Sequence, residues 1–246
     1  MIDTTANVVL AQIVVGAAPT GISFRPAAGA LPDRVYVANR DGSNGGNPLG
    51  TVSIIDPTTN AVVATVGNIA VAPIGIVAAP SGDVVATTRD NTGDIYQING
   101  ATNAITTSLS AGANTEPHGV AIRPDGARLY VATVGSGAVP RTGATKVYDG
   151  AGALVTNIVG TAPVDLAVNP SGSRLYVANY DSASVQVVDT TTNAVLSTVA
   201  VGSNPWGIAV AATNDPDTVP TLSEWALILF GSLMAGTMVW YQRRRV

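Results

Sequence analysis

At 246 residues the chain is long enough to bury the core of one all-β domain. Charged side chains make up 11% of it, and residues 1–218 carry nine Lys plus Arg against fifteen Asp plus Glu, with Lys146 the single lysine. That acidic balance argues against nucleic acid as a partner, which needs clustered cations for its phosphates. The absence of cysteine removes disulfides, thiol nucleophiles and thiolate metal sites.

Self-similarity starts at the amino terminus. An Asp or Asn followed four residues later by Asn occurs at Asp3/Asn7, Asp56/Asn60, Asn99/Asn103 and Asp189/Asn193, with a degenerate copy at Asp149. The leading residues are 53, 43, 50 and 40 residues apart, a period that fits four strands per repeat. A second mark opens each unit: Pro19-Thr20-Gly21, Pro73-Ile74-Gly75, Pro117-His118-Gly119, Pro163-Val164-Asp165 and Pro205-Trp206-Gly207. Turns such as Pro124-Asp125-Gly126 and Pro170-Ser171-Gly172 follow the first strands and suit tight connections.

In the fourth unit the alternation predicts strands at 165–168, 174–179, 184–188 and 194–199. Four-stranded meanders repeated in this way build a β-propeller over residues 1–212, each blade burying its faces against its neighbours. Four complete blades are expected from about residue 20 to 199. Left over are a first strand at 206–211 and two outer strands from residues 1–3 and 6–15. Joined, these would make a partial fifth blade without its second strand, which predicts a missing upstream segment.

The strands Tyr36-Val37-Ala38-Asn39, Tyr130-Val131-Ala132-Thr133 and Tyr176-Val177-Ala178-Asn179 resemble the YVTN-repeat, surface-layer-type propellers. Val85-Ala86-Thr87-Thr88 departs from the motif in the second unit. The resemblance implies the propeller fold and leaves the activity open, because propellers host many unrelated functions.

Few residues suggest chemistry. The chain has one histidine and no His/Asp/Glu set at ligand spacing, so no metal site and no cofactor are expected. The run Asp41-Gly42-Ser43-Asn44-Gly45-Gly46 lacks the lysine and helix of a phosphate loop. In a meander, the loops before first strands and after second strands share one end of the disc. That end collects a candidate ligand face: His118, Trp206, Arg40, Arg89, Asp90, Tyr180 and Asp181. The competing reading is that these are ordinary polar connections with one aromatic plug, and that His118 is mere variation at a repeat position.

After a linker at 213–218, residues 219–246 are of another kind. Seventeen uncharged residues, 225–241, are followed by Arg243, Arg244 and Arg245. The run is just long enough for a transmembrane helix, and the arginines fit a cytoplasmic stop-transfer end. A buried core helix is the competing reading. Val219-Pro220-Thr221-Leu222-Ser223-Glu224-Trp225 resembles the Ile-Pro-Thr-Leu-x-x-Trp-Gly signature of IPTL-CTERM tails, relatives of the PEP-CTERM class, with Val219 for Ile and Ala226 for Gly. The resemblance implies export to a bacterial envelope or cell surface and processing by an exosortase-type membrane protease.

An export signal should also precede the repeats, and Met1-Ile2-Asp3-Thr4-Thr5 does not show one. A tail-anchored cytosolic chain is the alternative topology, at odds with the positive-inside bias. The expected function is non-enzymatic: an envelope propeller with a structural, adhesive or ligand-binding role, its partner an unidentified surface ligand or polysaccharide. The alternative is an exported lactonase- or lyase-like propeller enzyme with its site at the channel mouth.

Overall fold

A computed structural model describes residues 1–3, 5–41, 49–69, 72–89 and 92–211. The linker, the sorting motif, the expected membrane helix and the arginine cluster lie outside the described residues, as does Asp90. The described strands belong to one compact unit, Met1–Ala211. Among the described residues, no helix is long and apolar enough to cross a membrane.

A short hairpin, β1 (Ile2–Asp3) with β2 (Val8–Val9), precedes four antiparallel four-stranded sheets. Blade 1 comprises β3 (Ala17–Arg25), β4 (Arg34–Asp41), β5 (Gly50–Asp56) and β6 (Ala61–Ile69). Blade 2 comprises β7 (Pro73–Ala78), β8 (Val84–Thr88), β9 (Asp94–Ile98) and β10 (Ile105–Ser110). Blade 3 holds β11 (Pro117–Ile122), β12 (Arg128–Thr133), β13 (Thr142–Asp149) and β14 (Leu154–Thr161). Blade 4 holds β15 (Pro163–Val168), β16 (Arg174–Asn179), β17 (Ser184–Asp189) and β18 (Val195–Ala200). Each sheet runs in sequence order from inner to outer strand, so every blade is a plain meander.

The Asp-x-x-x-Asn repeats make the outer hairpins. The Oδ1 atoms of Asp3, Asp56, Asn99 and Asp189 each accept a backbone N–H two residues on, at 2.8–3.0 Å. Asn7, Asn60, Asn103 and Asn193 then take φ of 53–59°, a left-handed conformation that Asn tolerates well.

Blades pack face to face. Tyr36, Ala38, Val52 and Ile54 of blade 1 meet Ile76, Val84, Ala86 and Ile98 of blade 2. Tyr130, Ala132 and Val147 of blade 3 meet Leu166, Leu175 and Val177 of blade 4. Among the described residues, blade 1 has no blade on its other side. Ile22 is 71% exposed there, whereas its equivalents Ile76 and Leu166 are 7% and 4% exposed. The amino-terminal residues lie over this face instead: Met1, Ile2, Val9 and Ile13 share an apolar cavity of about 530 Å³ with Ile22, Val35, Val37 and Ile55.

The joined fifth blade expected from the sequence is not formed among the described residues. β1 and β2 pair only with each other, and 206–211 carries no strand. The inner strand of each of the four blades is held by a ladder to its own second strand. Residues 206–211 lack such a partner, so their backbone gains no ladder.

Candidate functional site

The four inner strands β3, β7, β11 and β15 lie side by side, and the Pro-x-Gly mark explains how closely. A Cβ on Gly21 would overlap the Ile74 carbonyl oxygen, one on Gly75 the His118 carbonyl, and one on Gly119 would crowd Val164 and Asp165. Each glycine therefore lets one blade's backbone approach the next. Thr20 Oγ1 adds a hydrogen bond across the seam to Pro73 O at 2.9 Å, and Thr87 Oγ1 donates to His118 O. The middle residues of the five marks then line a cleft of about 320 Å³: Thr20, Ile74, His118, Val164 and Trp206.

Polar and aromatic groups gather at the mouth. Trp206 is 59% exposed and stands nearly perpendicular to both His118 and Tyr180, each with ring centroids 5.7 Å away. Arg141, from the loop between β12 and β13, holds its guanidinium 5.9 Å from the Tyr180 ring centroid. Its Nε and Nη2 donate to the two carboxylate oxygens of Asp181 at 3.0 and 2.9 Å, and its backbone N–H donates to Oδ2 at 2.7 Å. These charge-assisted bonds, the side-chain pair first, hold the Asp181 carboxyl below its usual pKa and raise that of Arg141. Arg89 Nε lies 3.7 Å from Glu116 Oε2, beside His118.

His118 is 3% exposed, and its Nε2 is buried without a hydrogen-bond partner. Burial first, then the charges of Arg89 and Arg141, push its pKa down to about 4. The imidazole is therefore neutral at ordinary pH. Asp165, which also lines the cleft, has its pKa raised, chiefly by burial and against the backbone N–H groups of Ile208 and Leu166.

Of the residues expected at this face, the structure brings His118, Trp206, Tyr180 and Asp181 into one cluster and sets Arg89 beside His118 through Glu116. Arg40 is exposed at the end of β4, next to undescribed residues, and Asp90 is undescribed. Sequence reasoning missed Arg141, Glu116 and Asp165. Arg141 is the only arginine in its loop, and Asp165 breaks the Pro-x-Gly mark; both signals were visible. Glu116 left none beyond its place before Pro117.

The arrangement can hold a ligand against an exposed indole and offer it hydrogen bonds from fixed polar side chains. His118 on its own is a weak base at neutral pH, because its pKa lies near 4. Among the described residues, no group of three or more His, Asp or Glu could hold a metal ion.

Comparison with known proteins bears on both parts of the chain. The lactonase, 7-bladed β-propeller family matches residues 83–204, from the start of β8 to just before Trp206. The IPTL-CTERM motif matches residues 219–245. Among solved structures, the chain is similar to Kuenenia stuttgartiensis hydrazine synthase, with a TM-score of 0.63 and 20% identity over 78% of this chain and 52% of that one. It thus spans about half the length of that structure, and the likeness shows the fold alone. No curated protein sequence matches it. The chain is a β-propeller that ends in an IPTL-CTERM sorting motif.

Proposed function

We propose that the chain is an exported cell-envelope propeller that binds a ligand at the mouth of its central cleft and does not catalyse its turnover. The match of the IPTL-CTERM motif to residues 219–245 carries the export half of this reading. In it, residues 225–241 span the membrane with Arg243–Arg245 on the cytoplasmic side, until an exosortase-type protease acts on the tail and leaves the propeller at the surface. The resemblance to surface-layer-type propellers supports the same address. The Trp206–Tyr180–Arg141–Asp181 cluster supports binding, as a rigid aromatic and ionic group at a loop-built mouth.

Protease shaving of intact cells tests the address. The full chain is expected to be digested from outside, and a chain lacking residues 219–246 to be lost from the surface fraction. Digestion only after lysis would overturn export. A second reading, a lactone hydrolase, is favoured by the lactonase family match over residues 83–204. Lactone hydrolysis by the purified chain that disappears in His118→Ala would replace the non-enzymatic reading.

A further inference from the structure

We propose that the mouth formed by His118, Arg141, Tyr180 and Trp206 is a subsite for an uncharged sugar ring. This rests on the reading above that the mouth binds a ligand, and it names the ligand's class. Three observations converge on it.

The first is a fixed aromatic platform. Trp206 is mostly open to solvent, yet two perpendicular rings position it, and Tyr180 is in turn backed by the Arg141–Asp181 pair. An exposed indole held in this way loses little freedom on binding. Its negative face suits the polarised C–H face of a pyranose.

The second is charge balance. Arg141 is neutralised by Asp181 and Arg89 faces Glu116, while His118 is uncharged at ordinary pH. A phosphate or carboxylate ligand would meet arginines already compensated, and the Asp165 carboxyl that lines the same cleft would repel it. Hydroxyl groups need no net charge and can use the peripheral donors and acceptors of such pairs.

The third is the orphan nitrogen. His118 Nε2 is buried and unpaired at the cleft it lines, which costs about 1–3 kcal/mol unless something meets it. A hydroxyl can donate to or accept from that nitrogen, so it serves either tautomer. The cleft, at about 320 Å³, suits one ring and not an extended chain.

The full chain, solubilised in a detergent without a sugar headgroup, is titrated calorimetrically with cellohexaose, chitohexaose and mannohexaose as uncharged probes and hexagalacturonate as the charged one. At least one uncharged hexamer is expected to bind, with hexagalacturonate at least about tenfold weaker. Trp206→Ala should weaken binding more than about tenfold, while Trp206→Phe, which keeps a ring, stays within about threefold of wild type. Tighter binding of hexagalacturonate, abolished by Trp206→Ala, overturns the ligand class and leaves the mouth as a binding site. Sugar binding indifferent to both Trp206→Ala and Arg141→Ala overturns the class and the mouth together. No binding of any probe at roughly 10 mM overturns the proposal, whereas the export reading stands or falls by shaving alone.

Discussion

Asp165 Oδ2 accepts the backbone N–H of Ile208 at 2.9 Å, at the position where the first three blades carry Gly21, Gly75 and Gly119. In those blades the missing side chain admits the next blade's carbonyl. In the fourth, a carboxylate fills that space and binds a single backbone N–H of the segment that follows.

That substitution has a measurable cost. Burial raises the Asp165 pKa above the usual carboxylate value of 3.8, so the folded state disfavours the ionised form. Its contribution is therefore best when the carboxyl is protonated and is lost as pH rises through the folded pKa. Asp165→Asn keeps an acceptor for Ile208 without the charge. It is expected to raise the melting temperature at pH 7, with the gain fading below about pH 4. An Asn variant that is less stable at both pH values would contradict this account.

His118 works in the opposite sense. Its folded pKa is about 4 against 6.5 unperturbed, so between these values the unfolded chain binds the extra proton. Stability from this group is complete above pH 6.5 and is lost as pH falls towards 4, by up to about 3 kcal/mol. Denaturant midpoints of wild type and His118→Gln, compared at pH 7.5, 5.5 and 4, should diverge in slope. The Gln variant is expected to lose this part of the acid sensitivity, and parallel curves would refute the assignment.

How much of this was legible depends on which residue carries the signal. Asn60, Asn103 and Asn193 adopt positive φ in hairpins that their own Asp-x-x-x-Asn motifs announce. Ala18, Ala72, Ala162, Glu116 and Asn204 also take positive φ, each just before the proline of the mark that recurs in every unit. No propensity scale places alanine there. The conformation is imposed by blade packing, and only the five-fold recurrence of the following proline hints at it. The same holds at the mouth. Loop position brought out His118, Tyr180, Asp181 and Trp206, because meander topology fixes which loops share an end. Arg141 follows from the same rule, as the only arginine of the loop between β12 and β13, whereas its pairing with Asp181 does not. The leftover strands of a fifth blade can be counted in a sequence, whereas the ladder that would join 206–211 to them cannot.

Gly75 tests the packing rule directly. A Cβ there would overlap the His118 carbonyl oxygen and crowd Thr87 Oγ1, and both are held by the blade seam. Gly75→Ala is expected to cost about 2–4 kcal/mol by forcing blades 2 and 3 apart. Gly67→Ala, with nothing within 4 Å of the new methyl, should change stability by less than about 0.5 kcal/mol. Equal effects in chemical denaturation would remove the close approach as the reason for glycine.

Arg25 is the corresponding tie between blades 1 and 2. It is 2% exposed, and its Nη1 donates to Gly82 O at 3.0 Å and Gly100 O at 2.9 Å while Nη2 reaches Pro32 O at 3.0 Å. The guanidinium also lies 5.4 Å from the ring centroid of buried Tyr36. Arg25→Ala strands carbonyls from three turns and opens a void, so a loss of about 2–4 kcal/mol is expected. Arg25→Lys should recover only part of it, because one ammonium cannot span three carbonyls arranged for a planar fork. Thermal melts of the three proteins decide the point: a lysine variant as stable as wild type would mean that charge alone, and not the fork, joins the two blades.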